Sequence, residues 1–197
     1  MKIVSIHPEN PQKRWIQLAA ETLDRGGIIV YPTDSGYSIG CDATNIKAIQ
    51  KLYQLKKPIK KYVMALMVPD IKSITDYAQV SNDAFKILKA HTPGPYTFIL
   101  PALKHISRKL DVKRKEIGIR IPDHSFLNEL FQEFPNPLLN TAATLSEDEL
   151  YCHPDDIEKV FGKIVDLVIT SGEIQINPTN IISLVDGVEV LRGEFLD

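Results

Sequence analysis

The stretch with most capacity for chemistry is Tyr31-Pro32-Thr33-Asp34-Ser35-Gly36-Tyr37-Ser38-Ile39-Gly40-Cys41. The β-branched run Ile28-Ile29-Val30-Tyr31 reads as a strand broken by Pro32, followed by hydroxyls, one carboxylate and two glycines. Ligands in open α/β sheets gather at strand ends, where loops offer backbone N–H groups. Gly36 and Gly40 carry no side chain, so backbone can approach a ligand closely there. A polar turn with two structural glycines is the plainer reading of the same residues. The spacing is neither a P-loop, nor Gly-x-Gly-x-x-Gly, nor a Gly-x-Ser-x-Gly elbow. Asp34-Ser35-Gly36 resembles the aspartic-protease tripeptide, but that chemistry needs two carboxylates and the chain has one copy.

Charge is unevenly distributed behind a net value of −2. Six lysines and no acid lie between Lys47 and Lys61. Seven Lys or Arg residues stand between Lys104 and Arg120, against Asp111 and Glu116. Nine acids and no Lys or Arg occupy Asp123 to Glu158. Such runs are often solvated helix faces. Two of them flanking one candidate site predict a surface that faces a polyanion. The five histidines show no metal-ligand spacing, and no metal site is expected. Cys41 and Cys152 read as inert thiols, not as a disulfide. The longest apolar runs, such as Phe98-Ile99-Leu100, are too short to span a bilayer, and residues 1–8 lack a signal-like stretch. A cytoplasmic protein without a membrane partner is expected.

These residues must be held by a scaffold, and strand and helix patterns alternate along the chain. Asn10-Pro11 reads as a helix start, with Ile16, Ala19, Ala20 and Leu23 on one face and Gly26-Gly27 as the stop. Thr44 reads as the cap of a second helix that points Ile46, Ile49, Leu52 and Tyr53 inward. Val63 to Val68 predicts a strand, and Asp70 and Ser81 open helical segments, the second burying Phe85 and Leu88. Further strands are predicted over Tyr96–Leu100, Ile117–Ile121, Leu138–Ala143, Val165–Ile169, Ile181–Val185 and Val188–Leu191. Asp123 reads as a helix cap before Leu127, Leu130, Phe131 and Phe134, and Pro154 opens a last helix to Phe161. Trp15 is expected to pack in the core of the first helix. Asp186-Gly187 joins the last strands as a two-residue hairpin turn. The expected fold is α/β: one domain over 1–197, a twisted mixed sheet covered by helices, with a basic concave cleft.

Four segments, in order, resemble the YrdC/YciO family, whose best-known members synthesise threonylcarbamoyl-adenylate for a tRNA modification. Pro32-Thr33-Asp34-Ser35-Gly36-Tyr37-Ser38-Ile39-Gly40 is similar to the family's Pro-Thr-Glu-Thr-x-Tyr-Gly-Leu-Gly. Thr92 to Leu100 resembles its Pro-Gly-Pro-Leu-Thr-Leu-Ile-Leu, and Ile117 to His124 its Val-Gly-Val-Arg-Val-Pro-Asp-His. Asn177 to Leu184 resembles its Pro-Ser-Thr-Val-Val-Asp-Leu, followed by an arginine at Arg192.

The resemblance implies capture of threonine's amine as a carbamate, attack on the α-phosphate of ATP and release of pyrophosphate. ATP is then a substrate, accompanied by Mg²⁺, with no bound prosthetic group. By family position, Thr33 contacts the amino acid, Arg120 the phosphates, and Lys57 stands for a family arginine. Tyr37, Lys56, Lys61, Thr97, Thr141, Thr144, Thr179 and Arg192 are the implied nucleotide- and substrate-binding positions. The departures are equally specific. Leu55-Lys56-Lys57-Pro58 replaces Lys-x-Arg-Pro, so Lys57 offers a point charge in place of a planar fork. Asn140-Thr141-Ala142-Ala143-Thr144 replaces Ser-x-Ser-Ala-Asn, which removes a hydroxyl at Ala142 and an amide at Thr144. Those departures and the Asp-Ser-Gly-Tyr opening point to the YciO branch. Two readings follow: an ATP-dependent threonylcarbamoyl-adenylate synthase with an altered site, acting on threonine or another small amine, or a non-catalytic double-stranded RNA or tRNA-binding module. No protein partner is implied.

Overall fold

The computed structural model describes residues 2–56, 64–104, 106, 115–146 and 149–195. Among them ten strands form one mixed sheet in the order β1-β8-β2-β3-β7-β4-β6-β5-β9-β10. The strands are β1 (Lys2–Ser5), β2 (Ile29–Thr33), β3 (Gly36–Asp42), β4 (Ala65–Met67), β5 (Tyr96–Pro101), β6 (Glu116–Arg120), β7 (Leu138–Ala142), β8 (Leu167–Thr170), β9 (Asn180–Ser183) and β10 (Glu189–Arg192). The helices are α1 (Lys13–Asp24), α2 (Ile46–Lys56), α3 (Ile71–Ile74), α4 (Asn82–His91), α5 (Ser125–Glu133) and α6 (Pro154–Phe161).

Side-chain alternation along the strands feeds two cores. In β2, Ile29 and Tyr31 meet Ile16, Ala19 and Leu23 of α1 and Phe126, Leu127 and Leu130 of α5. Val30, one residue along, joins Ile39, Phe98 and Val168 against Ile49 and Leu52 of α2, Leu88 of α4 and Phe161 of α6. Burial of the central strands on both faces explains their near-continuous apolar runs, while the edge strand β10 is exposed throughout. None of the described helices is long and apolar enough to cross a membrane.

Several local expectations are corrected. Pro32 does not break β2. The parallel ladder to β8 registers only at Ile29 and Val30, so the proline stands beyond it and faces Tyr37 of β3. The segment read as a ligand loop, Gly36 to Cys41, is a fully buried strand, and only Asp34-Ser35 turn between β2 and β3. Gly40 is small for packing: an added Cβ would lie 2.9 Å from the Leu139 carbonyl oxygen and 3.0 Å from the Tyr31 hydroxyl. Helix caps shift by one or two residues. Gln12 precedes α1, and Asn45 Oδ1 accepts from Ala48 N while Thr44 bonds to Asp42. His124 Nδ1 accepts from Phe126 N at 3.2 Å, because the chain at Asp123 is still held by Asp34. Ile46 and Phe85 are exposed, since each lies off the stripe that meets the sheet. Trp15 is only partly buried and carries Arg14 over its ring at 4.3 Å.

Candidate functional site

Polar side chains are rarely buried without a reason. Among the described residues eleven polar or charged ones are buried, and eight of them line a single cavity: Ser38, Lys56, Thr97, Arg120, Asn140, Thr141, Thr144 and Thr179. The cavity measures about 450 Å³, the size of a small-molecule site. Strands β3, β5, β6, β7 and β9 supply its walls, and the ends of α2 and β10 contribute Lys56 and Arg192.

The β2–β3 turn forms one wall. Gly36 has φ +126°, a conformation that side chains rarely adopt, and an added Cβ there would meet only Ile176 Cγ1, at 3.9 Å. Thr33 Oγ donates to the Gly36 carbonyl at 2.7 Å and accepts from Ser35 N at 3.1 Å. Arg120, from the end of β6, donates through one amino group to Ser35 Oγ at 2.7 Å and through the other to Asp34. The second carboxylate oxygen of Asp34 accepts from Asp123 N at 3.3 Å. Burial disfavours the charged form of Arg120 and lowers its pKa, and Asp34 opposes that shift. Its Nε is buried without a partner among the described atoms.

Lys56 closes the opposite side. It is fully buried at the end of α2, and its Nζ donates to the Ala142 carbonyl at 3.0 Å and the Thr144 carbonyl at 2.6 Å. Burial lowers its pKa to about 8, and it forms no ion pair among the described residues. The amine therefore changes charge near physiological pH. Thr144 Oγ is engaged by the carbonyls of Ser146 (2.5 Å) and Glu149. Ser146 Oγ lines the cavity and is buried with no partner among the described atoms.

The third wall couples β5, β9 and β10. Thr97 Oγ and Thr179 Oγ share a hydrogen bond of 3.0 Å across the parallel β5–β9 pair. Arg192 donates from Nε and an amino group to the Thr179 carbonyl at 3.0 and 2.8 Å, and from that amino group to Thr179 Oγ at 3.1 Å. Tyr37 lines the cavity, but its hydroxyl donates to the Gly172 carbonyl at 2.6 Å and accepts from Ser171 N at 3.1 Å. Burial raises its pKa, so the phenol stays neutral.

A family model described as Telomere recombination, covering Sua5, YciO and YrdC, matches residues 21–193. The chain belongs to the Sua5/YciO/YrdC family. YciO of Escherichia coli K12 is 38% identical over 191 residues, which cover 96% of this chain and 93% of that one. The crystal structure of E. coli YciO superposes with a TM-score of 0.89 at 37% identity, over 97% of this chain and 94% of that one. Threonylcarbamoyl-AMP synthase of Serratia proteamaculans is 27% identical over 176 residues, 88% and 93% of the two chains. The structure of Pyrococcus abyssi Sua5 complexed with L-threonine shares the fold, with a TM-score of 0.85 at 20% identity over 93% of this chain and 54% of that one.

Of the positions implied by resemblance to this Sua5/YciO/YrdC family, Tyr37, Lys56, Thr97, Arg120, Thr141, Thr144, Thr179 and Arg192 line the cavity. Thr33 stands behind its wall, bonded into the turn it stabilises. Lys57 and Lys61 lie outside the described residues, as does most of the basic run between Lys104 and Arg120. Lys47 and Lys51 are exposed on α2, so the described cations of the cleft are Lys56, Arg120 and Arg192. Sequence reasoning quoted Ser35, Ser38 and Asn140 within their motifs without giving them a role, and passed over Ser146 and Tyr151. Asn140 and Thr141 carried a signal, as two polar residues inside an otherwise apolar strand. Ser146 and Tyr151 carried none, because only the fold returns that loop to the cavity.

Proposed function

We propose that the cavity binds ATP beside a small primary amine, threonine first, and transfers the adenylyl group to the amine's carbamate. The supporting observation is that three cationic side chains and a ring of hydroxyls surround one cavity of ligand size. The S. proteamaculans relative is a threonylcarbamoyl-AMP synthase, and the P. abyssi homologue binds L-threonine. Amine nitrogen bonds to the carbon of CO₂ and releases a proton. A carbamate oxygen then bonds to the α-phosphorus as its bond to the bridging oxygen breaks, and pyrophosphate leaves with that electron pair.

The protein's task is alignment and charge stabilisation. Lys56 in its ammonium form, Arg192 and the hydroxyls of Thr97, Thr141 and Thr179 are the donors available to phosphate oxygens. No carboxylate lines the cavity among the described residues. Mg²⁺ accordingly enters with the triphosphate, held by phosphate oxygens and water, since this ion keeps several of its waters. The loss of a hydroxyl at Ala142 predicts a slow reaction.

Purified protein incubated with ATP, bicarbonate and each amino acid tests the reading through pyrophosphate release. Slow release that requires both bicarbonate and threonine or another amine is expected. Failure of every amine to stimulate release removes the adenylyl-transfer assignment. Salt-sensitive retention of double-stranded RNA in the same preparation then favours the binding-module reading.

A further inference from the structure

Cys152, His153 and Glu173 come together outside the cavity. Their ligand atoms, one from each residue, all lie within 4.8 Å of one another, and His153 Nε2 stands 3.7 Å from Glu173 Oε1. We propose that these three side chains bind a thiophilic divalent cation of the zinc class, which ties together two segments that wall the cavity. Thiolate, imidazole and carboxylate form a donor set suited to zinc, leaving a fourth position for water. Bonds of about 2.0–2.3 Å in a tetrahedral site bring donors to roughly 3.3–3.8 Å apart. Rotations of the exposed His153 and Glu173 suffice to close that gap.

The backbone on both sides is already fixed. Glu173 lies between Gly172, whose carbonyl accepts from Tyr37, and Ile174, whose N–H donates to the Cys152 carbonyl at 3.0 Å. His153 occupies the N-cap of α6 without a side-chain capping bond, so its imidazole is not required there. A helix N-terminus repels a cation, but Asp155 and Asp156 in the first turn oppose that field. Tyr151, next to Cys152, and Ile176, three residues after Glu173, line the cavity. A bound cation would therefore pin one rim of the cavity, whatever that cavity binds.

Titration of the intact, reduced protein with Co²⁺ tests this directly. A thiolate-to-cobalt charge-transfer band in the near ultraviolet should saturate at one equivalent and vanish on addition of zinc. Cys152→Ser should abolish the band, while His153→Ala and Glu173→Gln should each weaken binding by at least tenfold. Circular dichroism shows whether each variant is folded. No band from the wild-type protein overturns the site. A band unchanged in both His153→Ala and Glu173→Gln also overturns it, because the thiol then binds without the other two.

Discussion

Arg120 and Asp34 form a buried ion pair at the wall of the cavity, with the arginine about 5% exposed and the carboxylate 14%. The arginine that lines the cavity is thus already paired with a neighbour 86 positions away in sequence. Asp34 also holds Asp123 N, so it fixes the β2–β3 turn and the entry to α5 together. Removing one member of a buried pair leaves the other uncompensated, at a cost of about 3–5 kcal/mol. Loss of Asp34 alone should therefore destabilise the free protein, and it would leave the Arg120 guanidinium open to an incoming anion.

Asp34→Asn should separate those two effects. Without ligand its melting temperature should fall, since Arg120 is left charged and poorly paired. ATP affinity, measured by calorimetry, should rise roughly tenfold, equivalent to about 1.4 kcal/mol. The ATP-induced rise in melting temperature should grow accordingly. Equal ATP affinity in variant and wild type would place the phosphates elsewhere in the cavity.

Lys56 predicts a specific dependence of stability on pH. Its folded pKa is about 8, below the usual 10.5. Between these values the unfolded chain holds more protons than the folded one, so this residue makes stability rise with pH from about 8 to 10.5. The full contribution is at most roughly 3 kcal/mol. Neutral amine still has two hydrogens for the Ala142 and Thr144 carbonyls. Denaturation of the wild type and Lys56→Met across that range should show the difference curve rising with pH. A flat or falling difference would mean that the amine is charged in the fold.

Much of the fold was legible because apolar periodicity survives in the strands and in α1, α5 and α6. Pro154 opened α6, whereas the last hairpin turns through residues 184–188, between the paired Ser183 and Glu189, and not through Asp186-Gly187 alone, where Gly187 has φ +111°. The misreadings share one cause: local chemistry was read without its neighbours. Pro32 is harmless only because the β2–β8 ladder has already ended at Val30, and Gly40 is small only because Leu139 and Tyr31 press on it. The family positions of the site were readable from motif order. Asp34 opposite Arg120, and the loop that returns Ser146 and Tyr151, depend on contacts across the fold. Sequence spacing carries no trace of these.

Gly40→Ala checks the packing account of that glycine. The new methyl meets a backbone carbonyl at 2.9 Å and Asn140 Cβ at 3.2 Å, neither of which can swing aside. Overpacking of this kind costs about 1–3 kcal/mol. Urea denaturation should give a lower midpoint with an unchanged slope. An unaltered midpoint would return Gly40 to a ligand-approach role.

The final prediction concerns the two substituted positions, which the structure makes unequal. Ala142 is exposed at the cavity, and its backbone carbonyl, not its side chain, serves Lys56. A serine there adds a hydroxyl without breaking any contact. Thr144 is different, because its one hydroxyl proton is shared between the Ser146 and Glu149 carbonyls and its oxygen accepts from Ser146 N. Replacing it by asparagine removes those bonds at about 1–2 kcal/mol of stability. Ala142→Ser should therefore raise threonine-dependent pyrophosphate release by roughly tenfold, if its hydroxyl meets a charged oxygen in the transition state. Thr144→Asn alone should lower the melting temperature and give little rate. The double variant should fall short of the product of the two single effects, since both act on one loop. No gain from Ala142→Ser, in a protein with measurable wild-type release, would show that the cavity has been reshaped for an amine other than threonine.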